Sequence, residues 1–108
     1  MSNVRLTEVV AQRALANEGT AVAKETYTLR EVYINPEHVV CMRADNLMKR
    51  RLDENLLPGD LDQRQEFTKI YINRGNNGLD ITVVGSPSMI QGKMFEATKK
   101  IKREILKG

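Results

Sequence analysis

The chain holds one cysteine, one histidine, no tryptophan, three prolines and five aromatic residues among its 108. Each shortage narrows what the protein can do. With Cys41 alone, no disulfide forms within the chain. In the apolar run "HVVCM" Cys41 reads as a buried thiol, because free cysteine is among the most buried residue types. His38 and Cys41 supply two of the four ligands zinc usually takes, and three positions apart on a strand they point to opposite faces. Neither a metal centre nor a Cys–His dyad is expected.

The serines are Ser2, Ser86 and Ser88, and none sits in a G-x-S-x-G setting that would make a nucleophile elbow. Asp53, Glu54, Asp60 and Asp62 fall in polar stretches, where nothing buries them and tunes them for acid–base work. The expectation is a protein that is not an enzyme and carries no cofactor. No run approaches the roughly 18 apolar residues of a membrane span. The start "MSNVRLTEVV" lacks the basic head, apolar stretch and cleavage site of a secretory signal. A cytoplasmic protein is expected, with no membrane partner. At 108 residues the chain fits a single domain of about 100 to 150 residues.

Charge is unevenly placed. Residues 1–44 are balanced, residues 45–66 are net acidic, and residues 67–108 carry eight basic against three acidic side chains. A basic end favours phosphate-bearing partners through long-range attraction.

Periodicity sets the elements. In "VRLTEVV", Val4, Leu6 and Val10 alternate with Arg5, Thr7 and Val9 as in a strand, whereas "AQRALANEG" would suit a helix equally. Residues 11–26 are few in bulky groups and read as a long loop holding a helical turn, with Gly19 as a stop signal. "TYTLREVYI" is β-branched and aromatic and reads as a strand that ends at Asn35-Pro36, with "HVVCMR" as the next, a tight strand, "INPE" turn, strand unit. Asp45 and Asn46 cap a short helix in which Met48, Leu52 and Leu56 share a face until Leu57-Pro58-Gly59, with "KRR" on the other face. "FTKIYINR" and "LDITVVG" form an antiparallel hairpin round "GNNG", where Asn77-Gly78 suits a turn with positive φ. "GSPSM" starts a final helix with Ser86 as cap and Pro87 in the first turn, running almost to Leu106. Ile90, Met94, Ala97, Ile101 and Ile105 make its apolar stripe. Gly92 weakens it by roughly 0.5 to 1 kcal/mol relative to Ala.

The fold class is therefore α+β, a small antiparallel sheet of four to five strands with a C-terminal amphipathic helix and a short inserted helix. One helix on one sheet buries little, and both hairpin faces carry apolar groups: Ile70 and Ile72 on one, Phe67, Tyr71 and Val84 on the other. A homo-oligomer is the expected cover. Nucleotide and nucleic-acid sites pair arginine forks with aromatic planes. Phe67, Tyr71, Tyr33 and Tyr27 with Arg43, Arg64 and Arg74 are the available partners, although core packing is the plain reading for Phe67 and Phe95. In "NRGNNGLD", turn chemistry explains Asn77 and Gly78 and leaves Arg74 and Asn76 over.

"VRLTEV", then "VYINPEHVVCM", then "INRGNNGLDITVVGSPSMI" resembles the small flagellar FlbD-like proteins. The resemblance implies a regulatory role. Separately, Lys93, Lys99, Lys100, Lys102, Arg103 and Lys107 around the last helix's stripe read as a solvated face or, as the alternative, as phosphate contacts of a DNA- or RNA-associated regulator. The same layout looks like the phage Thoeris anti-defence sponge proteins. That resemblance implies an oligomer that sequesters a cyclic ADP-ribose-like or cyclic oligonucleotide signal between subunits without destroying it. Carried onto this chain, it implies Phe67 as base stacker, Asn77 as polar contact and Arg43 as phosphate or ribose partner, beside Arg74 and Asn76. A third expectation is a protein that works through protein contact alone.

Overall fold

The computed structural model describes residues 3–14 and 24–107, with the side chains of 13, 14, 24, 25, 74 and 99–107 set aside. The reading of residues 15–23 and the outer stripe residues Ile101 and Ile105 lie outside the described residues and side chains. Five strands form one antiparallel sheet: β1 Val4–Ala14, β2 Lys24–Ile34, β3 Val39–Ala44, β4 Phe67–Arg74 and β5 Asn77–Val84. Helix α1 spans Asn46–Asp53 and helix α2 spans Pro87–Lys107. The α+β class, the inserted helix and the C-terminal helix stand as the residue pattern indicates.

The ends of the expected 11–26 loop are strand instead. β1 continues to Ala14 and β2 begins at Lys24, paired from Val4↔Ile34 to Ala14↔Lys24. A long unbroken ladder satisfies the backbone of both segments, which outweighs their sparse bulky groups.

The sheet order is β2-β1-β5-β4-β3, so the expected β2–β3 unit does not pair with itself. β2 and β3 are the two edges, joined only through a 3₁₀ turn at Pro36–His38. Asn35 Oδ1 accepts the Glu37 N–H at 3.0 Å, and Pro36 takes the first position of that turn, where no donor is needed. In a flat five-stranded sheet the edges would stand about 19 Å apart, since neighbouring strands lie about 4.8 Å apart. Five Cα steps reach about 17 Å when fully extended, and a 3₁₀ turn shortens them. The sheet must therefore curl. β3 bends as well, with a register shift between Val39 and Cys41 that leaves Val40 outside the ladder.

Each face has its own core. On one, Val4, Leu6, Ile34, Ile70 and Val83 pack under Ile90 and Met94 of α2. On the other, Val9, Tyr27 and Phe67 pack under Met48 and Leu52 of α1 and under Leu57. Full burial of such side chains stabilises by about 1.5 to 3 kcal/mol each. The second face is thus covered in part by α1 and the chain after it, which removes the premise that one helix leaves one sheet face bare.

Asp45 positions α1. Its Oδ1 accepts the Met48 N–H at 3.0 Å, its Oδ2 accepts the Thr82 hydroxyl at 2.6 Å, and its own N–H donates to the Phe67 carbonyl at 2.9 Å. The helix stops earlier than Leu57-Pro58-Gly59. Asn55 adopts a left-handed φ of 60°. The Asn55 N–H then reaches the Leu52 carbonyl, and the Leu56 N–H reaches the Arg51 carbonyl, both at 3.0 Å. This Schellman closure satisfies the last carbonyls. It also turns Leu56 outward to 50% exposure and buries Leu57 in its place.

The β4–β5 connection is Gly75-Asn76, flanked by Arg74↔Asn77. Only Gly75 has positive φ, 68°, the pattern of a type II′ turn with glycine first. Asn77 and Gly78 are strand residues instead, because glycine meets the left-handed requirement two positions earlier. At the other end of β5, Gly85 has φ 126° and closes the sheet onto α2. Its N–H donates to the Glu66 carbonyl at 2.7 Å, and its carbonyl accepts the Thr68 hydroxyl at 2.8 Å. Ser86 then caps α2, with its Oγ accepting the Met89 N–H at 3.2 Å.

Two substitutions test this frame. A Cβ at Gly85 would meet the Met89 Cε and lie 3.0 Å from Ile90 Cδ1, in a backbone region that L-residues rarely adopt. Gly85→Ala is expected to destabilise by about 1 to 3 kcal/mol in urea unfolding. Asp45→Ala removes a cap and strands the Thr82 hydroxyl, so a loss of about 3 kcal/mol is expected. Asp45→Asn, which keeps an acceptor for the Met48 N–H, should lose less.

Candidate functional site

The alternation of β4 puts Phe67, Lys69, Tyr71 and Asn73 on the face that α1 covers. The cover is partial. Phe67 is 1% exposed beneath Met48 and Leu52, whereas Tyr71 is half-buried and Asn73 exposed. Register brings further groups to the open end: Cys41 and Asp80 lie opposite Tyr71, and Arg43 lies opposite Lys69. The Arg43 guanidinium sits over the Tyr71 ring, 5.5 Å from its centroid. Among the described residues no ion pair includes Arg43. Its donor fork is held in place by the ring and left open to a partner, as an arginine stacked on an aromatic plane can be.

Past the start of the short β3, the β4–β5 hairpin leaves a groove of about 500 Å³, lined by Val40, Cys41, Tyr71, Asn73, Leu79 and Asp80, among others. That volume lies in the range of small-ligand sites. Val40, outside the β3–β4 ladder, is 65% exposed, so the groove has an apolar wall beside an aromatic ring, an amide and a carboxylate. Asp80 could accept from amines or ribose hydroxyls, Asn73 could donate or accept, and Arg43 could fork onto phosphate.

The five residues singled out from the sequence do not form one site. Phe67 is a core side chain, and α1 closes it off from any base. Asn76 and Asn77 are exposed at the hairpin tip, seven or more positions along the strand from Phe67, about 23 Å at the usual rise. The Arg74 side chain lies outside the described ones, although its backbone pairs with Asn77. Among the described side chains of the five, Arg43 lies against an aromatic ring, and that ring is Tyr71. Periodicity alone marks Tyr71 as the face-mate of Phe67. Only the placement of α1 across the sheet says which of the two is left open.

Other expectations change with the fold. Cys41 is exposed, not buried, because β3 is an edge strand kinked beside it. Phe95 is 64% exposed and so is not a core residue. Of the "KRR" face, Lys49 donates to the Gln63 and Gln65 carbonyls at 2.7 and 2.9 Å, which fastens the chain after α1. Arg51 lies over the Tyr27 ring at 5.4 Å. Arg64 is held by Asp62, whose Oδ1 accepts the Arg64 N–H at 2.8 Å. Those Arg64 hydrogen bonds hold the Asp62 carboxyl below the usual carboxylate range.

A second hollow, of about 450 Å³, opens on the α2 side between Val32, Ile72, Leu79 and Ile81, with Glu8, Arg30 and His38 among its polar groups. Glu8 is only 9% exposed and accepts from Arg30 Nε at 3.2 Å. The one sequence signal for it is a glutamate in phase with Val4 and Leu6. Among the described residues no group of three or more His, Cys, Asp or Glu could hold a metal ion. No described helix is long and apolar enough to cross a membrane. Comparison with protein-family models, curated proteins and solved structures finds no match to this chain.

The division between core and open face is measurable. Phe67→Ala is expected to cost about 3 to 5 kcal/mol of stability. Arg43→Ala and Tyr71→Ala, at the open end, should each cost at most about 1 kcal/mol in the same urea series.

Proposed function

We propose that the chain is a non-catalytic binding protein that captures a nucleotide-type signalling molecule, of the cyclic ADP-ribose or cyclic oligonucleotide class, and withholds it. The observation that carries this reading is the Arg43–Tyr71 stack on a sheet face that α1 leaves open. A phosphorylated nucleoside has three features, and the groove together with the Arg43 guanidinium over its Tyr71 ring offers a partner to each. The charged phosphate meets the guanidinium fork of Arg43, with Lys69 directly opposite it on β4. The base plane packs against the Tyr71 ring and the apolar Val40. The ribose hydroxyls meet Asp80 and Asn73. Asn76 and Asn77 at the hairpin tip stand above the groove, where a second subunit would complete the enclosure that a shallow groove lacks. The resemblance to phage sponge proteins supports the same ligand class, with Tyr71 in the stacking role first given to Phe67.

A second reading rests on the same surface. Arg43 and Lys69 flanking an aromatic ring on an open sheet also suit single-stranded nucleic acid, whose bases stack on such rings at about 1 to 3 kcal/mol each. Salt separates the two, since binding along a polyphosphate backbone weakens steeply with ionic strength.

Isothermal titration of the protein with cyclic ADP-ribose isomers, cyclic dinucleotides and an oligothymidylate is the test. A cyclic nucleotide should bind, with Tyr71→Ala weakening it by about 1 to 3 kcal/mol and Arg43→Ala by about 1.5 to 3 kcal/mol. Salt-sensitive binding of the oligothymidylate alone would favour the second reading. No heat and no thermal shift with any of them would reject both.

A further inference from the structure

We propose that a second copy of this chain docks on the outer face of α2 about a two-fold axis, with Phe95 of each copy seated in the notch left by Gly92 of the other. At 100° per residue, Gly92 points about 160° away from both Ile90 and Met94, the residues that fix α2 to the sheet. It therefore lies on the solvent side of the helix, and nothing stands within 4 Å of where its Cβ would be. A glycine in the interior of an exposed helix weakens it relative to alanine, and within one copy nothing compensates. Three positions on, Phe95 is 64% exposed, so an aromatic knob and a backbone notch lie side by side on the same uncovered helix.

The charges say which partner fits. Lys93 and Glu96 are both exposed, neither belongs to an ion pair among the described residues, and both lie on the flank of Gly92 away from Phe95. When two copies of α2 pack antiparallel about an axis perpendicular to both, each flank meets the same flank of its partner. Seating Phe95 on the partner's Gly92 then brings Lys93 to within about 3 Å along the axis of the partner's Glu96, two steps of 1.5 Å. The symmetry repeats the pair. Knob, notch and opposite charges are thus self-complementary, which is what a two-fold interface requires. The surface lies across the sheet from the Arg43–Tyr71 groove, so it stands or falls apart from the ligand reading.

Sedimentation equilibrium of the full chain tests it. The wild type should show a concentration-dependent dimer, and Phe95→Asp should weaken it at least about tenfold. Gly92→Leu should weaken the dimer while raising the thermal midpoint of the monomer, the opposite sign to general damage. Lys93→Glu and Glu96→Lys should each weaken association about two- to fivefold, and the double variant should restore it. A wild-type monomer at every concentration, a dimer unmoved by Phe95→Asp, or a double variant no better than the singles would overturn the proposal.

Discussion

One carboxylate decides where core ends and surface begins. Asp45 joins three elements at once: it caps α1, accepts from Thr82 on β5 and docks its backbone on Phe67 of β4. An eight-residue helix has no stability of its own in water, so α1 exists where Asp45 and its two apolar side chains hold it. Its placement then does the rest. Met48 and Leu52 cover Phe67 together with Val9 and Tyr27, across the sheet toward β2, and Tyr71, four residues along β4, stays open. An unanchored helix would expose the second core.

The curl of the sheet is the other constraint. Because β2 and β3 are edges joined by a short 3₁₀ turn, the chain cannot lie flat, and the two faces become unequal. α2 seals one face with Ile90 and Met94. α1 and Leu57 cover part of the other. Gly85 stands at the corner, where the backbone must leave β5 and enter α2 without room for a Cβ. Those three features set the accessible surface of the protein, and both proposed interfaces are what they leave uncovered: the far half of one face and the back of one helix.

Much of this is legible in the residues because it is local. The alternation of Thr68, Ile70 and Ile72, the capping serine before Pro87, the Asp45 cap and the stripe of α2 all report on chain neighbours. What fails is what depends on distant partners. Residues 11–14 look loop-like until β2 pairs with them along their length. Asn35-Pro36 marks a turn but not whether the strands it joins meet. Cys41 sits in an apolar run, and only its place on a kinked edge exposes it. Leu56 continues a helical spacing that Asn55 has already broken. The candidate site shares that split: Arg43 is readable as a basic group on a strand, whereas its stacking on Tyr71 needs the β3–β4 register, and the loss of Phe67 to the core needs α1.

The sheet order also governs how such a chain reaches its native state. β1–β2 and β3–β4–β5 are each built from neighbours in sequence, and they meet along the Glu8↔Val83 and Val9↔Thr82 pairs. That seam is the contact of greatest sequence separation in the sheet, so its loop-closure entropy must be met before packing rewards it. The two units are each closed by local contacts, and the seam is the long-range contact that joins them. Until it closes, β1 and β5 present unpaired edges, and Thr82, which holds Asp45, sits on that seam. The anchor of α1 is therefore tied to the contact of greatest sequence separation in the sheet.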